Sequence, residues 1–323
     1  MSQQFDVTEA EADTRLDRYL KRQIEGLNQS IIQKHLRTGK IRVNGAKAEA
    51  NTRLAPGDVV VVPDITPPKE MPKTRHVMVM DPHAIRDLEA MILYRDDSVI
   101  VLNKPAGLAA QGGKGIAVHL DGMLDALRFD GTERPKLVHR LDRDTSGILL
   151  LARGVKPASR LAAAFRGRDV EKTYWALLWG VPDVHEGRID LPLRRVEFGG
   201  ASRSEPAGRK DEDALKAVTD YKIIDTAGKR FALAQLNPQT GRMHQLRAHT
   251  LALGTPILGD AAYGAAFAEG FAAQLHLHAR RLSFPHPEGG FLTIEAPLPK
   301  HMREAFAHLG FTVPETMKPR KTK

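Results

Sequence analysis

The residues best suited to chemistry sit together in one stretch, Leu137-Val138-His139-Arg140-Leu141-Asp142-Arg143-Asp144-Thr145-Ser146-Gly147. It leads directly into the apolar run Ile148-Leu149-Leu150-Leu151, which reads as a strand. A rigid strand can hold a charged loop steady, as a reactive site requires. Asp142 lies between Arg140 and Arg143, and nearby cations keep a carboxylate ionised at neutral pH. An ionised carboxylate can attack carbon or stabilise positive charge on a sugar. The same residues could equally form a salt-bridged turn, and the stretch by itself leaves both readings open.

A second polar stretch is Gln239-Thr240-Gly241-Arg242-Met243-His244-Gln245-Leu246-Arg247-Ala248-His249, with a helical pattern over 243–253. Its two histidines stand five residues apart rather than the four of a helical metal pair. No carboxylate motif accompanies them, so no metal site is expected. With no cysteine in the chain, thiolate metal sites and disulfides are excluded.

Elements must position these groups. Short apolar or β-branched runs at 98–102, 147–152, 174–179, 231–236 and 291–294 alternate irregularly with helical patterns at 158–165 and 243–253. That mixture favours an α+β domain over a regular doubly wound one. Residues 14–62 read as a separate small unit. Leu16, Tyr19, Leu20 and Ile24 recur at helical spacing, and Ile31, Ile32, His35 and Leu36 suggest a second helix with Ser30 as N-cap. Two strands follow, around the turn Asn44-Gly45 and after Pro56-Gly57-Asp58. The expected organisation is a small domain over 1–62 (core 14–62), a Pro-rich linker over 63–88, a larger domain over 89–313 and a basic disordered tail over 314–323. Residues 194–213 match no usable pattern.

The net charge is +9, which favours polyanionic partners because Lys and Arg displace counterions condensed on a phosphate backbone. Between Arg15 and Lys47 there are nine basic residues and two acidic ones. Arg15, Arg18, Lys34, Arg37 and Lys40, on and beside the two predicted helices, are therefore candidate nucleic-acid contacts. No apolar run approaches the roughly 20 residues of a membrane span, and the acidic N-terminus lacks an apolar signal core, so a cytoplasmic protein with no membrane association is expected.

The nonapeptide HRLDRDTSG resembles the signature of the ribosomal large-subunit pseudouridine synthases, in the branch named after its A member. Three further segments are similar to that family and keep its order: VLNKPAG around Lys104-Pro105, EKTYWA around Tyr174, and GRMHQLR ending at Arg247. GTPILGD at 254–260 also fits. The N-terminal unit resembles an S4-type RNA-binding domain through TRLDRYL, LRTGKIRVNG and LAPGDVVVV, and the combination is most similar to the C member. The resemblance covers most of residues 14–300. It implies a catalytic domain with a mixed, mainly antiparallel sheet and flanking helices, preceded by a small S4-like α/β domain.

It further implies an isomerase that needs no cofactor and no metal, acting as a monomer on large-subunit ribosomal RNA or a pre-ribosomal particle. Asp142 is then the catalytic carboxylate. Tyr174 packs on the target base and serves as a base for its C5 proton, Arg247 pairs with Asp142, and Lys104-Pro105 is structural. Arg140 fills the stack vacated by a flipped uridine, while Arg143, Arg242 and His244 meet RNA. Two rival readings are weighed against it. One is a binding-only ribosome-assembly protein, which need not keep Asp142, Tyr174 and Arg247 together. The other is a glycoside hydrolase with Asp144 as its second carboxylate, against which the basic charge argues.

Overall fold

A computed structural model describes residues 2–65, 81–113, 115–198, 201–264, 271 and 273–322. The chain divides into two compact units, Met1–His76 and Val77–Lys323. Most of the predicted linker, residues 66–80, lies outside the described residues.

In the first unit, helices Leu16–Gln23 and Gln29–Arg37 each bury one apolar stripe. Leu16, Tyr19, Leu20, Ile32 and Leu36 pack with Ile41, Leu54, Val60 and Val62. The second helix is capped by Asn28, whose Oδ1 accepts the Ile31 N–H at 3.0 Å, and not by Ser30. Asn44 and Gly45 both take positive φ, as a tight hairpin turn requires, and join Arg42–Val43 to Ala46–Lys47. The sheet gains a strand absent from the sequence reading, Ser2–Asp6, which pairs antiparallel with Val59–Pro63. Its residues are mostly polar and exposed, so pairing rather than propensity makes it a strand.

The second unit is built on an eleven-stranded sheet. Its central order is Glu186–Asp190, Val218–Ala227, Phe231–Pro238, Glu171–Trp179, Leu277–Pro285, Ser146–Ala152, Val99–Lys104 and Ile92–Arg95. All neighbours along this path are antiparallel except Leu277–Pro285 and Ser146–Ala152, which run parallel. The mainly antiparallel α+β arrangement is the one expected.

Ser146–Ala152 is buried along its whole length. Alternate side chains face opposite layers. Ile148 and Leu150 pack with Leu161 and Ala164 of helix Val155–Gly167, while Leu149 and Leu151 pack with Leu120, Leu124 and Leu127. A strand covered on both faces reads as a continuous apolar run, and this one does.

Two expectations need correction, and one unassigned segment gains a structure. Helix Pro82–Ala90, capped by Asp81 and started by Pro82, begins within the span assigned to the linker and runs past its end, and Leu88 sends it into the core beside Ile100 and Leu102. The tail is ordered through Thr322: Arg320–Thr322 pairs antiparallel with Phe291–Thr293, and the Met317 N–H donates to Glu295 at 3.0 Å. The unassigned segment forms a separate two-stranded hairpin, Leu193–Phe198 with Ala201–Pro206.

Candidate active site

The loop carrying Asp142 is fastened at both ends. On its N-terminal side the His139 ring stacks on Phe165, centroids 4.7 Å apart, and its Nε2 accepts the Leu150 N–H at 2.8 Å. Burial pushes this imidazole down to about 3, which keeps it neutral and able to accept. On the C-terminal side, fully buried Lys104 donates from Nζ to the carbonyls of Pro105, Leu108 and Arg143 at 2.9, 2.8 and 2.9 Å. The Gly107 N–H adds a second bond to the Arg143 carbonyl. Burial lowers Lys104 to about 8, while the negative charges of Asp144 and Asp142 oppose that loss. Lys104 is thus a clamp on the loop, a role its place in a Lys-Pro turn does not reveal.

Gly147 ends the loop at φ +108°, and a Cβ there would collide with the Ala279 carbonyl and sit 2.7 Å from its nitrogen. Only glycine lets the two parallel strands approach this closely. Register then carries the site across the sheet: Gly147 lies opposite Ala279, Ala279 opposite Tyr174, and Tyr174 opposite Leu236. Tyr174 is half-buried, packed against the apolar clusters on either side. Burial first, and the Asp142 charge second, raise its phenol above the ordinary value.

Asp142, Tyr174 and Arg247 line one cavity of about 1620 Å³. Arg140, Arg242 and His244 line it too, and so do Arg194 and Arg195 of the hairpin that carried no sequence signal. The exposed Arg143 pairs with Asp144 at 3.1 Å and is not among the lining residues. Arg242 is anchored by its Nε on the Lys216 carbonyl at 3.0 Å.

Arg247 corrects the expected pairing. Its guanidinium forks onto Asp260, Nε to Oδ2 at 2.8 Å and the second nitrogen to Oδ1 at 2.5 Å, and not onto Asp142. Both groups are buried, and the Arg247 head lies 5.0 Å from the Tyr263 ring. Burial is the largest single influence and opposes its charge, but the bonds to Asp260 and the charges of Asp260 and Asp142 together raise it above the ordinary value. Arg247 therefore reaches Asp142 through its field and not through a bond. Asp260 is the partner the sequence reading missed; its only signal was the GTPILGD match.

Helix Gln245–Ala252 begins later than its pattern suggested, because His244 takes a left-handed φ of +49°. The turn before it is held by Gln245, whose amide bonds Thr240 Oγ1, the Arg242 N–H, the Val218 carbonyl and Thr219 Oγ1. His244 Nε2 stands 4.0 Å from Asp142 Oδ2. His249 faces elsewhere, bonded to Thr219 and to the Leu191 carbonyl. Tyr263 and Ser204 exchange bonds at 2.9 and 3.0 Å, and Ser204 donates to the Met243 carbonyl at 2.6 Å. These contacts fasten the hairpin to the turn that carries His244.

A cavity that brings the Asp142 carboxylate, a tyrosine and a fixed guanidinium together among several further arginines is suited to chemistry on an anionic substrate. The comparisons make this specific. Residues 98–252 match the RNA pseudouridylate synthase family. Ribosomal large subunit pseudouridine synthase C of Vibrio cholerae is 36% identical, with 94% of this chain and 96% of that protein covered. The protein of the same name from Rickettsia prowazekii is 38% identical over 88% of this chain and 94% of its own. Human RNA pseudouridylate synthase domain containing 4 matches in structure with TM-score 0.61 and 30% identity, over 72% of this chain and 97% of that one. The chain belongs to the RNA pseudouridylate synthase family.

Proposed function

We propose that this protein isomerises specific uridines of large-subunit ribosomal RNA to pseudouridine, with Asp142 as the reacting carboxylate. The observation that carries the reading is the meeting of Asp142, Tyr174 and Arg247 in one cavity, from three segments far apart in sequence. Relatives similar over nearly their whole length are named as large-subunit pseudouridine synthases, which supports the choice of RNA.

In the reaction the N1–C1′ bond breaks, the base turns, and C5 bonds to C1′. The uridine leaves its helix so that C1′ and C5 are exposed. Arg140, exposed at the cavity wall, fills the space it vacates. Asp142 acts on the sugar or on the base, Tyr174 stacks against the freed uracil, and Arg247, held by Asp260, keeps the field around Asp142 positive. Arg242 meets phosphate. The first unit serves as an S4-like RNA-binding domain, presenting exposed Arg18, Lys34, Arg37 and Lys40. Arg15 has a different task, pairing with the buried Asp17 at 2.7 Å. No cofactor or metal takes part, and the protein acts as a cytoplasmic monomer on ribosomal RNA or a pre-ribosomal particle. No helix among the described residues is long and apolar enough to cross a membrane.

Pseudouridine mapping of ribosomal RNA from cells without this gene, complemented with wild type or Asp142→Asn, tests the reading. Specific large-subunit sites should vanish and return only with wild type. A map unchanged by deletion, or one restored by Asp142→Asn, would overturn it.

A further inference from the structure

We infer that His244, expected from sequence only to meet RNA, is the base that removes the C5 proton in the second half of the isomerisation. The inference rests on the reading of the site as a uridine isomerase. Its starting point is a constraint that does not depend on the route. Whether Asp142 addresses C1′, C2′ or C6, each of these atoms is one or two bonds from C5 once C5 has joined C1′. The group that takes the C5 proton must therefore stand close to the Asp142 carboxylate. Among the described residues, His244 is the one basic side chain within 4.0 Å of it.

Three other cavity groups are poorly suited to the task. His139 accepts a backbone N–H, and the Arg247 guanidinium is bound to Asp260 and cannot act as a base. The Tyr174 phenol, raised by burial and by Asp142, supplies almost no phenolate at neutral pH and is better suited to stacking and donating. The His244 ring is surrounded by the charges of Asp142, Arg247, Asp260 and Asp144, with Tyr263 at its edge 5.8 Å away. Burial holds this imidazole below its ordinary value against the pull of Asp142, so it is neutral and basic at pH 7. Among the described residues its buried Nδ1 has no hydrogen-bond partner, so none of them fixes the tautomer and Nε2 can take and return a proton. The left-handed backbone at His244 is the kind of strain that gathers at functional sites.

The step balances. When C5 joins C1′, the C5–C6 double bond is consumed and N1 becomes doubly bonded to C6. Nε2 of His244 takes the C5 hydrogen as a proton. The C–H electron pair restores the C5–C6 double bond, and the N1–C6 π pair returns to N1. N1 then receives the proton from the imidazolium, and His244 is regenerated with no net change.

The test uses the full chain and an RNA fragment containing a mapped site, with the target uridine bearing hydrogen or deuterium at C5. The variants are His244→Asn and His244→Gly, since Asn and Gly both accept a left-handed φ and keep the turn. Loss of a positioned base should lower kcat by about 10²–10⁴-fold with KM little changed. A deuterium isotope effect at C5 should appear or grow, and added imidazole should partly restore His244→Gly. Variants with wild-type kcat, or a lowered kcat without a C5 isotope effect, overturn the assignment while leaving the uridine isomerase standing. A wild-type protein that forms no pseudouridine in any RNA overturns both.

Discussion

The loop around Asp142 and the basic helices of the first unit are both dense in charge, yet they are built in opposite ways. The loop is tied by His139 to Leu150, by Lys104 to three carbonyls, and by Gly147 against Ala279. On the helices, Arg18, Lys34 and Arg37 stand exposed on an apolar core and make no ion pair among the described residues. Chemistry on a single carbon needs a carboxylate held to within a fraction of an ångström. Attraction to a phosphate backbone needs only accessible charge, and it tolerates side-chain motion. Perturbing the first region should therefore cost turnover and stability, and perturbing the second only affinity.

Lys104→Met sharpens this contrast most. It leaves the Pro105 and Leu108 carbonyls without this donor and the Arg143 carbonyl with the Gly107 N–H alone, and each unsatisfied buried carbonyl costs about 1–3 kcal/mol. A drop in thermal or denaturant stability of several kcal/mol and a kcat lowered by roughly 100-fold through misplacement of Asp142 are expected. A variant with native stability and turnover would show that the loop does not depend on the clamp. Asp260→Asn comes next. It strands the buried Arg247 charge, and breaking one member of such a pair costs about 3–5 kcal/mol. Chemical denaturation and single-turnover kinetics would measure the two consequences, with activity falling because the field around Asp142 is no longer anchored.

Acid should separate the regions as well. His276 and His278 are fully buried, and burial lowers them to about 4 and about 3. The folded state keeps them neutral while the unfolded chain takes up protons below about pH 6.5. Their stabilisation is complete above that pH and is lost as pH falls towards their folded values, His276 alone contributing about 3 kcal/mol. The catalytic unit should thus lose stability steeply between about pH 6.5 and 4, read by denaturant midpoints across pH. His276→Gln should flatten the slope. The smallest effect is expected on the helices. Replacing Arg18, Lys34, Arg37 and Lys40 by Gln should leave folding and kcat unchanged, weaken RNA binding, and reduce the salt slope by roughly 0.7–0.9 per lost phosphate contact. An unchanged slope would mean that this face does not meet the RNA.

The charged loop before an apolar run made Asp142 a candidate, the family resemblance chose it over a salt-bridged turn, and Ile148-Leu149-Leu150-Leu151 was legible as a strand. Asn44-Gly45 announced its turn because positive φ at both positions is a local property of those residues. Features that depend on distant partners became visible only in the folded chain. Nothing local marks Lys104 as the clamp of a loop 39 residues away, or Asp260 as the counter-ion of Arg247. The polar strands Ser2–Asp6 and Arg320–Thr322 exist because a neighbouring edge supplies their hydrogen bonds, and the arginine-bearing hairpin is set beside the cavity by Tyr263 and Ser204. The 4.0 Å between His244 and Asp142, residues far apart in sequence, exists only in the folded chain. Propensity and pattern are written residue by residue, whereas burial, ion pairing and approach are properties of the folded chain, and the site takes its chemistry from the latter.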